Sequence, residues 1–586
     1  MYDLEWRAGS WVELDLQSVR VPEISIAGVF DGKNYRWYRS IDGFLNGELT
    51  QRNHGQWFYA HAGGLADMLF VLQRIIQKGG YQVKAAFSGS SAIIVNVRRG
   101  RFKWTFIDSL WLFGTALANI AKWIGLEKGS VDFETEDMAE LAKYNRLDCE
   151  ILWKAIDAFE STLLEIGGTL RMTLASCAMD LFRRKFLKRS VSTNAQVNKM
   201  ARLSYFGSRV EVFNRKATDG FYYDINSSFP HAMTEPAPGS FIGTTTGLPK
   251  AEKALFVADV EIEVPEMYFP SMPYRADGSV YFPTGKWRGY LNNVDLRLLQ
   301  ETDGKIHKVH EVMHFEPFED LAFYAQTLYE RRVKGTSEFE KIVYKLLLNS
   351  LYGKFAENPL KSSLLVNPPF TDCPHEPAHP RKPDDPREPI CMTQLIPGVW
   401  LLDTELEIPH EHVPISSHIT ALARKNLYGF MKPCDEFYYC DTDGFATNEA
   451  NLPTSDKLGG LKLEMSFRDA EFLSPKVYRI DRKVKAKGMS LADKRGLPEG
   501  LSETDRKERL GQIALDRWMK LREGLTVDAE RMARIKELYR SGSTVPVTRI
   551  IEKQLRFTSR PKRRMHKDGS SEPWDVSVLQ KSEKTK

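Results

Sequence analysis

The stretch "EFYYCDTDGFATNE", Glu436 to Glu449, sets two aspartates, Asp441 and Asp443, one residue apart between an aromatic run and a second short apolar run. That pattern is a nearly buried strand, where like charges repel. One reading is a hairpin, because Asp-Gly at 443–444 is a good two-residue turn between strands. The other is metal. Residues i and i+2 of extended backbone point to the same side, and two carboxylates there suit a hard cation such as Mg²⁺. On this stretch alone both readings stand.

Two further stretches bear on the choice. In "YYDINSSFP", Asp224 ends an apolar strand, and Pro230 is placed to start a helix. A carboxylate followed by turn amides can hold a cation while backbone N–H groups meet phosphate; a plain helix cap by Asn226 or Ser227 is the alternative. In "KIVYKLLLNSLYGKF", Lys341, Lys345, Asn349 and Tyr352 fall within about 80° of one helix face. A surface stripe is the ordinary reading of two lysines one turn apart. Here the stripe runs on into Asn and Tyr beside a leucine-rich face, and Gly353 is expected to end the helix. Three carboxylates on two strands plus a cationic helix is the layout that two-metal nucleotidyl transfer needs, with ions ~3.5–4 Å apart.

The 586-residue chain is longer than one core organises, so several domains are expected. Apolar content of 42% and charge of 27% are ordinary for a globular protein. A net charge of only +5 excludes polyanion binding through a global field and leaves it to local patches. One such patch is "RPKRRMHK", Arg560 to Lys567, which reads as part of an exposed, frayed C-terminus, either a solvated tail or a phosphate contact. Six cysteines, at 149, 177, 373, 391, 434 and 440, make no CxxC pair, which fits a reducing compartment such as cytoplasm. No signal peptide and no apolar run of 18 residues is read, so no membrane partner is expected.

Along the chain, the first ~160 residues read as α/β, with strands at "ISIAGVF" and "YRWYR" and a helix from "GLADMLF" to Gly79-Gly80. A strand meander and two more helices follow. Residues 318–355 read as a helical hairpin broken at "VKGTSE", residues 358–392 as an irregular proline-rich insertion, and the last ~90 as charged and mostly helical. Cys373, His375, His379 and Cys391 have zinc-binding chemistry, but their spacing matches no standard zinc module.

"DINSSFP", "KLLLNSLYG" and "YCDTDG", in this order, resemble the three polymerase motifs of family B DNA polymerases. "SPKVY" (Lys476, Tyr478) resembles the family's KxY motif, and "TALAR" (Thr420 to Arg424) a motif that contacts template-primer. "YFGSR" (Tyr205, Gly207) resembles its YxGG linker, with Ser208 for the second Gly. Near the N-terminus, Asp3 and Glu5 of "YDLEW", Asp67, and Tyr144 and Asp148 of "YNRLD" resemble the family's two-metal 3′–5′ exonuclease, the tyrosine orienting the attacking water. "DSLWLF" (Ser109, Leu110) resembles its single-strand-binding motif. The chain departs from the pattern at Ala62 and Ala66, where Asn and an aromatic grip the 3′ end, at Ser228-Phe229 for Leu-Tyr, and at Gly444 for Ser.

The resemblance covers nearly the whole chain and is nearest the protein-primed branch of phages and linear plasmids. It implies a multidomain α/β and α+β fold: an RNase H-like exonuclease and a right-hand polymerase of palm, fingers and thumb. The implied divisions are exonuclease 1–185, palm 186–254 and 413–490, fingers 318–357, and thumb with basic tail 491–586. Two insertions complete the set, 255–317 for a priming terminal protein and 358–412 for processivity. Asp224 and Asp443 are the implied main metal ligands with Asp441 in support, and each active site is implied to take two Mg²⁺ or Mn²⁺ ions. Lys341, Lys345 and Asn349 are implied to bind the nucleotide, with Tyr352 packing on it and Phe229 against its sugar. Implied partners are template-primer DNA, dNTPs and a terminal protein, for a monomer in the host cytoplasm if viral. The rivals are a polymerase that starts DNA without a priming protein and an inactive, polymerase-derived DNA-binding protein; retention of every catalytic carboxylate argues against the latter.

Overall fold

The computed structural model describes the chain except residues 15–16, 90, 369–388, 490, 493–496, 498–500, 535–536, 539–544, 556–559 and 584–586. Cys373, His375 and His379 of the candidate zinc set lie outside the described residues. The chain divides into two compact units. One comprises Met1–Lys185, Glu330–Pro409 and Glu530–Ile551, the other Phe186–Tyr329, His410–Ala529 and Glu552–Lys586. Among the described residues no helix is long and apolar enough to cross a membrane.

In the first unit, strands Tyr2–Arg7, Glu23–Phe30 and Tyr35–Tyr38 form an antiparallel sheet with Asp3 opposite Gly28. A seven-stranded sheet holds the expected meander of Gln82–Ser88, Ser91–Arg99 and Phe102–Asp108. Trp57–Ala60 closes one edge, parallel to Phe102–Asp108. The other edge is extended by Leu360–Val366, Val399–Glu405 and Pro389–Ile396. The proline-rich insertion is therefore not irregular at its ends: its alternating apolar residues, such as Leu364 and Val366, are buried in the core of this unit. Helix Asp67–Lys78 buries one apolar face and stops at Gly79, whose φ of 67° suits glycine. Helix Met138–Glu165 starts at Asp137, whose carboxylate accepts from the amides of Ala139 and Glu140.

In the second unit a seven-stranded sheet runs in the order Val210–Val212, Phe437–Asp441, Gly444–Thr447, Lys216–Ile225, Leu461–Ser474, Val477–Ile480 and Lys483–Ala486. A separate four-stranded sheet joins Ala237–Thr245, Lys305–Phe318, Leu255–Val264 and Gly285–Asn292. Helix Val413–Met431 carries a largely buried set including Ile415, Ile419 and Leu427.

Two expectations for the C-terminal region need correction. After helix Glu503–Arg522 the described chain is mostly strands and turns, with one short helix at Val576–Glu583. The basic run is not a frayed tail. Arg563 is 1% exposed; its Nε donates to Ser571 Oγ at 2.9 Å, and its guanidinium lies 4.6 Å from the Phe213 ring centre. Charge alone marked this run as surface, whereas aromatic faces and backbone acceptors pay for burying one arginine of it.

Candidate functional site

The aspartate pair of the second unit sits in a hairpin, and its turn is shifted by one residue. Asp441 pairs with Gly444, so the two-residue loop is Thr442-Asp443 and Gly444 already belongs to a strand. Thr442 takes a φ of 70°, its amide donating to Arg209 O at 2.9 Å. Asp443 is thus a turn residue rather than the i+2 position of a strand: the hairpin reading holds with its loop one residue earlier, and the pair stays a candidate for metal binding. Asp224 stands opposite Gly444, and Ile225 N donates to Asp443 O at 2.8 Å, so backbone pairing brings the two aspartates to neighbouring positions. Both are half-buried, while Asp441 is buried. A Cβ on Gly444 would lie 2.9 Å from the Tyr222 hydroxyl and 3.1 Å from Asp224 Oδ1, which explains glycine there. The five-residue helix after Asp224, Ser228–Ala232, has Ser227 at its N-cap position with no side-chain cap, which leaves the capping alternative without support at that residue.

Asp441 has protein partners: Lys476 Nζ donates to its Oδ1 at 2.6 Å and the Tyr439 hydroxyl to its Oδ2 at 3.3 Å. Lys476 N in turn donates to the Tyr439 hydroxyl oxygen at 2.9 Å. The KxY-like residues are therefore tied to the aspartate hairpin. Beside them is a cavity of about 240 Å³ lined by Tyr222, Met465, Tyr478, Ile480, Lys483 and Lys485.

Two residues expected to touch DNA are placed differently. Arg424 is 4% exposed; its Nη2 donates to both carboxylate oxygens of Asp295 at 2.9 and 3.0 Å, while its Nη1 donates to Phe206 O at 2.7 Å and Gly207 O at 3.2 Å. Thr420 is buried, its hydroxyl donating to Ser416 O and Ser417 O of its own helix. The "TALAR" arginine thus clamps the "YFGSR" linker instead of facing solvent. Tyr205 and Gly207 of that linker keep part of their surface. Arg424→Met is expected to leave Asp295 charged and buried without a partner, costing ~3–5 kcal/mol of stability. Denaturant unfolding checks this; an unchanged midpoint would refute the clamp.

The cationic helix lies in the first unit. Glu338–Ser350 starts at Ser337, whose Oγ accepts from Glu340 N at 3.1 Å. Lys345 and Asn349 are exposed and Lys341 half-exposed, whereas Val343, Tyr344, Leu347 and Leu348 are buried. The α-helix stops at Ser350, earlier than Gly353, and tightens into a 3₁₀ turn over Tyr352–Ala356. Tyr352 thereby leaves the α-helical register that placed it on the stripe.

Also in the first unit, ligand oxygens of Asp3, Glu5 and Asp148 all lie within 4.8 Å of one another; among the described residues this is the one such cluster of three or more potential metal ligands. Asp67 is buried beside them, its Oδ1 accepting from Leu4 N at 3.0 Å. Burial first, and then neighbouring carboxylates, push Asp3, Glu5 and Asp67 well above the usual carboxylate range. Crowded, desolvated carboxylates are a donor set that fits a hard divalent cation. Burial and the Asp148 charge push the Tyr144 phenol up to about 12, so it stays a neutral donor.

Two members of this site escaped the sequence reading. Lys128 forms an ion pair with Asp148 and sits 4.8 Å from the Tyr144 ring centre. Asn145, the second residue of "YNRLD", reaches both Asp3 and Glu5. Only Asn145 had a local signal, one residue from Tyr144 on a helix; Lys128 lies on a loop with none. Ser109 is fully buried, its hydroxyl donating to Ala60 O at 2.9 Å and meeting His61 Nδ1 at 3.0 Å, so it braces the loop, while Leu110 keeps some exposure. Ala62 has a φ of 58°, a conformation in which Asn is more at ease than Ala.

Residues 124–367 match the model of DNA polymerase type B, organellar and viral. A probable DNA polymerase of Neurospora intermedia is 28% identical over 383 residues, covering 58% of this chain and 37% of its own length. The chain thus spans well under two thirds of that relative. A DNA-directed DNA polymerase of Enterobacteria phage PRD1 is 24% identical over 497 residues, covering 80% of this chain and 83% of its own. Among solved structures, phi29 DNA polymerase complexed with primer-template DNA and incoming nucleotide superposes with a TM-score of 0.70 at 19% identity, over 94% of this chain and 99% of that one. The expected multidomain fold is borne out by this likeness, and the family resemblance by the model and the relatives together.

Proposed function

We propose that this chain is a type B DNA polymerase of the organellar and viral kind, which extends a DNA strand on a DNA template and edits it with a 3′–5′ exonuclease in the same polypeptide. The observation that carries the reading is the register that sets Asp224 opposite Gly444 and bonds Ile225 to Asp443 in one sheet. Asp224 and Asp443 would hold divalent cations, Mg²⁺ or Mn²⁺, with Asp441 behind them already oriented by Lys476 and Tyr439. Two such ions, when bound, lower the pKa of a primer hydroxyl and neutralise the leaving pyrophosphate. Lys341, Lys345, Asn349 and Tyr352 are the proposed nucleotide-binding residues, the lysines for the triphosphate and Asn349 and Tyr352 for the base and sugar. Lys476 and Tyr478 hold the primer end. In the first unit Asp3, Glu5, Asp67 and Asp148 supply the cation ligands for hydrolysis, and neutral Tyr144 orients the attacking water. Primer extension with and without dNTPs, on a template with a recessed 3′ end, tests both activities.

Protein priming is the preferred mode, supported by the relationship to phage polymerases such as that of PRD1. Residues 255–317, which supply three strands of the four-stranded sheet and the separate hairpin Tyr274–Ala276 with Ser279–Tyr281, are then the surface for a terminal protein. Transfer of labelled dNMP to a co-purified protein tests this, and transfer to DNA ends alone would favour unassisted initiation. The domain divisions given above, a monomeric state and a host-cytoplasmic setting belong to the same proposal. Phe229, on the short helix after Asp224, is the residue set against a ribose 2′-OH. Phe229→Val should raise ribonucleotide incorporation about tenfold or more, the scale of removing apolar bulk from a selective pocket. Unchanged kcat/KM ratios for dNTP over rNTP would refute that role.

A further inference from the structure

Asn145 is wholly buried on helix Met138–Glu165. Its amide nitrogen lies 3.1 Å from Asp3 O, 3.2 Å from Asp3 Oδ2 and 3.4 Å from Glu5 Oε1. Its amide oxygen accepts from the Tyr35 hydroxyl at 2.9 Å, which fixes the NH₂ end toward the carboxylates. Room for that amide depends on Gly28, the strand partner of Asp3. A Cβ there would lie 1.6 Å from Asn145 Oδ1 and 2.8 Å from the Tyr35 hydroxyl, so every other residue type collides with the pair. Residues far apart in sequence thus meet on two carboxylates of the candidate metal cluster.

The chemistry of an amide suits this place. It offers two N–H donors and no charge. It can therefore hold Asp3 and Glu5 at one spacing while leaving their negative charge for a cation. A lysine or arginine would hold them equally well but would compete with that cation. Left unpartnered, so deeply buried an amide would cost stability; here both N–H groups find acceptors on Asp3 and Glu5 and the oxygen accepts from Tyr35.

We propose that Asn145, oriented by Tyr35 and given room by Gly28, is the positioning residue that spaces Asp3 and Glu5 for divalent-cation binding and so for excision. This rests on the reading of the first unit as an exonuclease. The test uses the full chain and Mn²⁺ as probe, with cation binding followed by electron paramagnetic resonance in an Asp224→Ala background and excision followed on single-stranded DNA. Asn145→Leu should weaken Mn²⁺ binding about tenfold and lower excision kcat by a similar factor, the range seen for groups that orient metal ligands. KM for DNA should stay within about twofold, and excess Mn²⁺ should restore much of the rate, because a weakened cation site rather than a lost DNA contact is being tested. Gly28→Ala should reproduce the Asn145→Leu pattern by displacing the amide.

Tyr35→Phe removes one hydroxyl while keeping the ring, and should shift Mn²⁺ half-saturation in the same direction by a smaller factor. It keeps the claim testable if Asn145→Leu does not fold. A lowered melting temperature with unchanged Mn²⁺ half-saturation in both variants would overturn the proposal, since a purely structural residue behaves that way. If the parent binds Mn²⁺ through Asp3 but excises nothing, the exonuclease reading fails while the positioning claim is judged on the binding data alone.

Discussion

Asp224→Ala or Asp443→Ala is expected to lower primer extension about 10³-fold, as loss of a ligand to the ions that stabilise the reacting phosphate does. Excision of single-stranded DNA should stay within about twofold of the parent, because these aspartates and the Asp3 cluster belong to different compact units. Asp443 carries the sharper form of the test. It lies in a two-residue loop whose backbone is bonded to Ile225, so alanine there leaves the hairpin intact and removes only the carboxylate. Asp441→Ala should fall between these variants and the parent and should also release Lys476 and Tyr439. An Asp443→Ala chain that keeps more than a tenth of parental extension would remove the second unit's site from the reaction.

Asp3→Asn should abolish excision by a comparable factor, about 10³-fold, while sparing extension. It carries a second expectation that a structural aspartate would not share. Asp3 is raised above its unfolded value, first by burial and then by Asp148. A carboxyl with a raised folded pKa binds more protons folded than unfolded, so its contribution to stability is fullest at low pH and declines as pH rises through the folded value. In the absence of divalent metal at neutral pH, the asparagine variant should therefore melt higher than the parent, by about 2 °C or more. Acidifying the parent should narrow the gap, and adding Mn²⁺ should close it from the other side, since the parent gains more from the ion than a variant that has lost one ligand of the Asp3 cluster. Scanning calorimetry in chelator and in Mn²⁺ decides. An asparagine variant that melts lower than the parent in chelator, at every pH, would show that Asp3 stabilises the fold and is not a strained ligand.

The order of "DINSSFP", "KLLLNSLYG" and "YCDTDG", and the carboxylates at 3, 5, 67 and 148, are local patterns, and local patterns are legible in a sequence. Strand alternation, Gly79 as a helix stop and the break at "VKGTSE" belong to the same class, because each depends on neighbours a few residues away. By itself, then, the sequence determined the two sets of acidic residues, the amphipathic cationic helix and the mixed α/β character.

Burial and long-range partnership were decided only in three dimensions. Arg424 has the residue type of a DNA contact, yet Asp295, 129 residues away in the chain, claims its guanidinium. Arg563 sits in a basic run, yet aromatic rings and Ser571 bury it. The Asp-Gly turn slipped by one residue because Asp224 and Ile225 pair across Gly444 and Asp443, a strand contact that the dipeptide cannot encode. Lys128 and Asn145 joined the acidic cluster for the same reason. A charge or an amide shows its role only when the groups that desolvate it and bond to it are known, and those groups arrive from distant strands and helices.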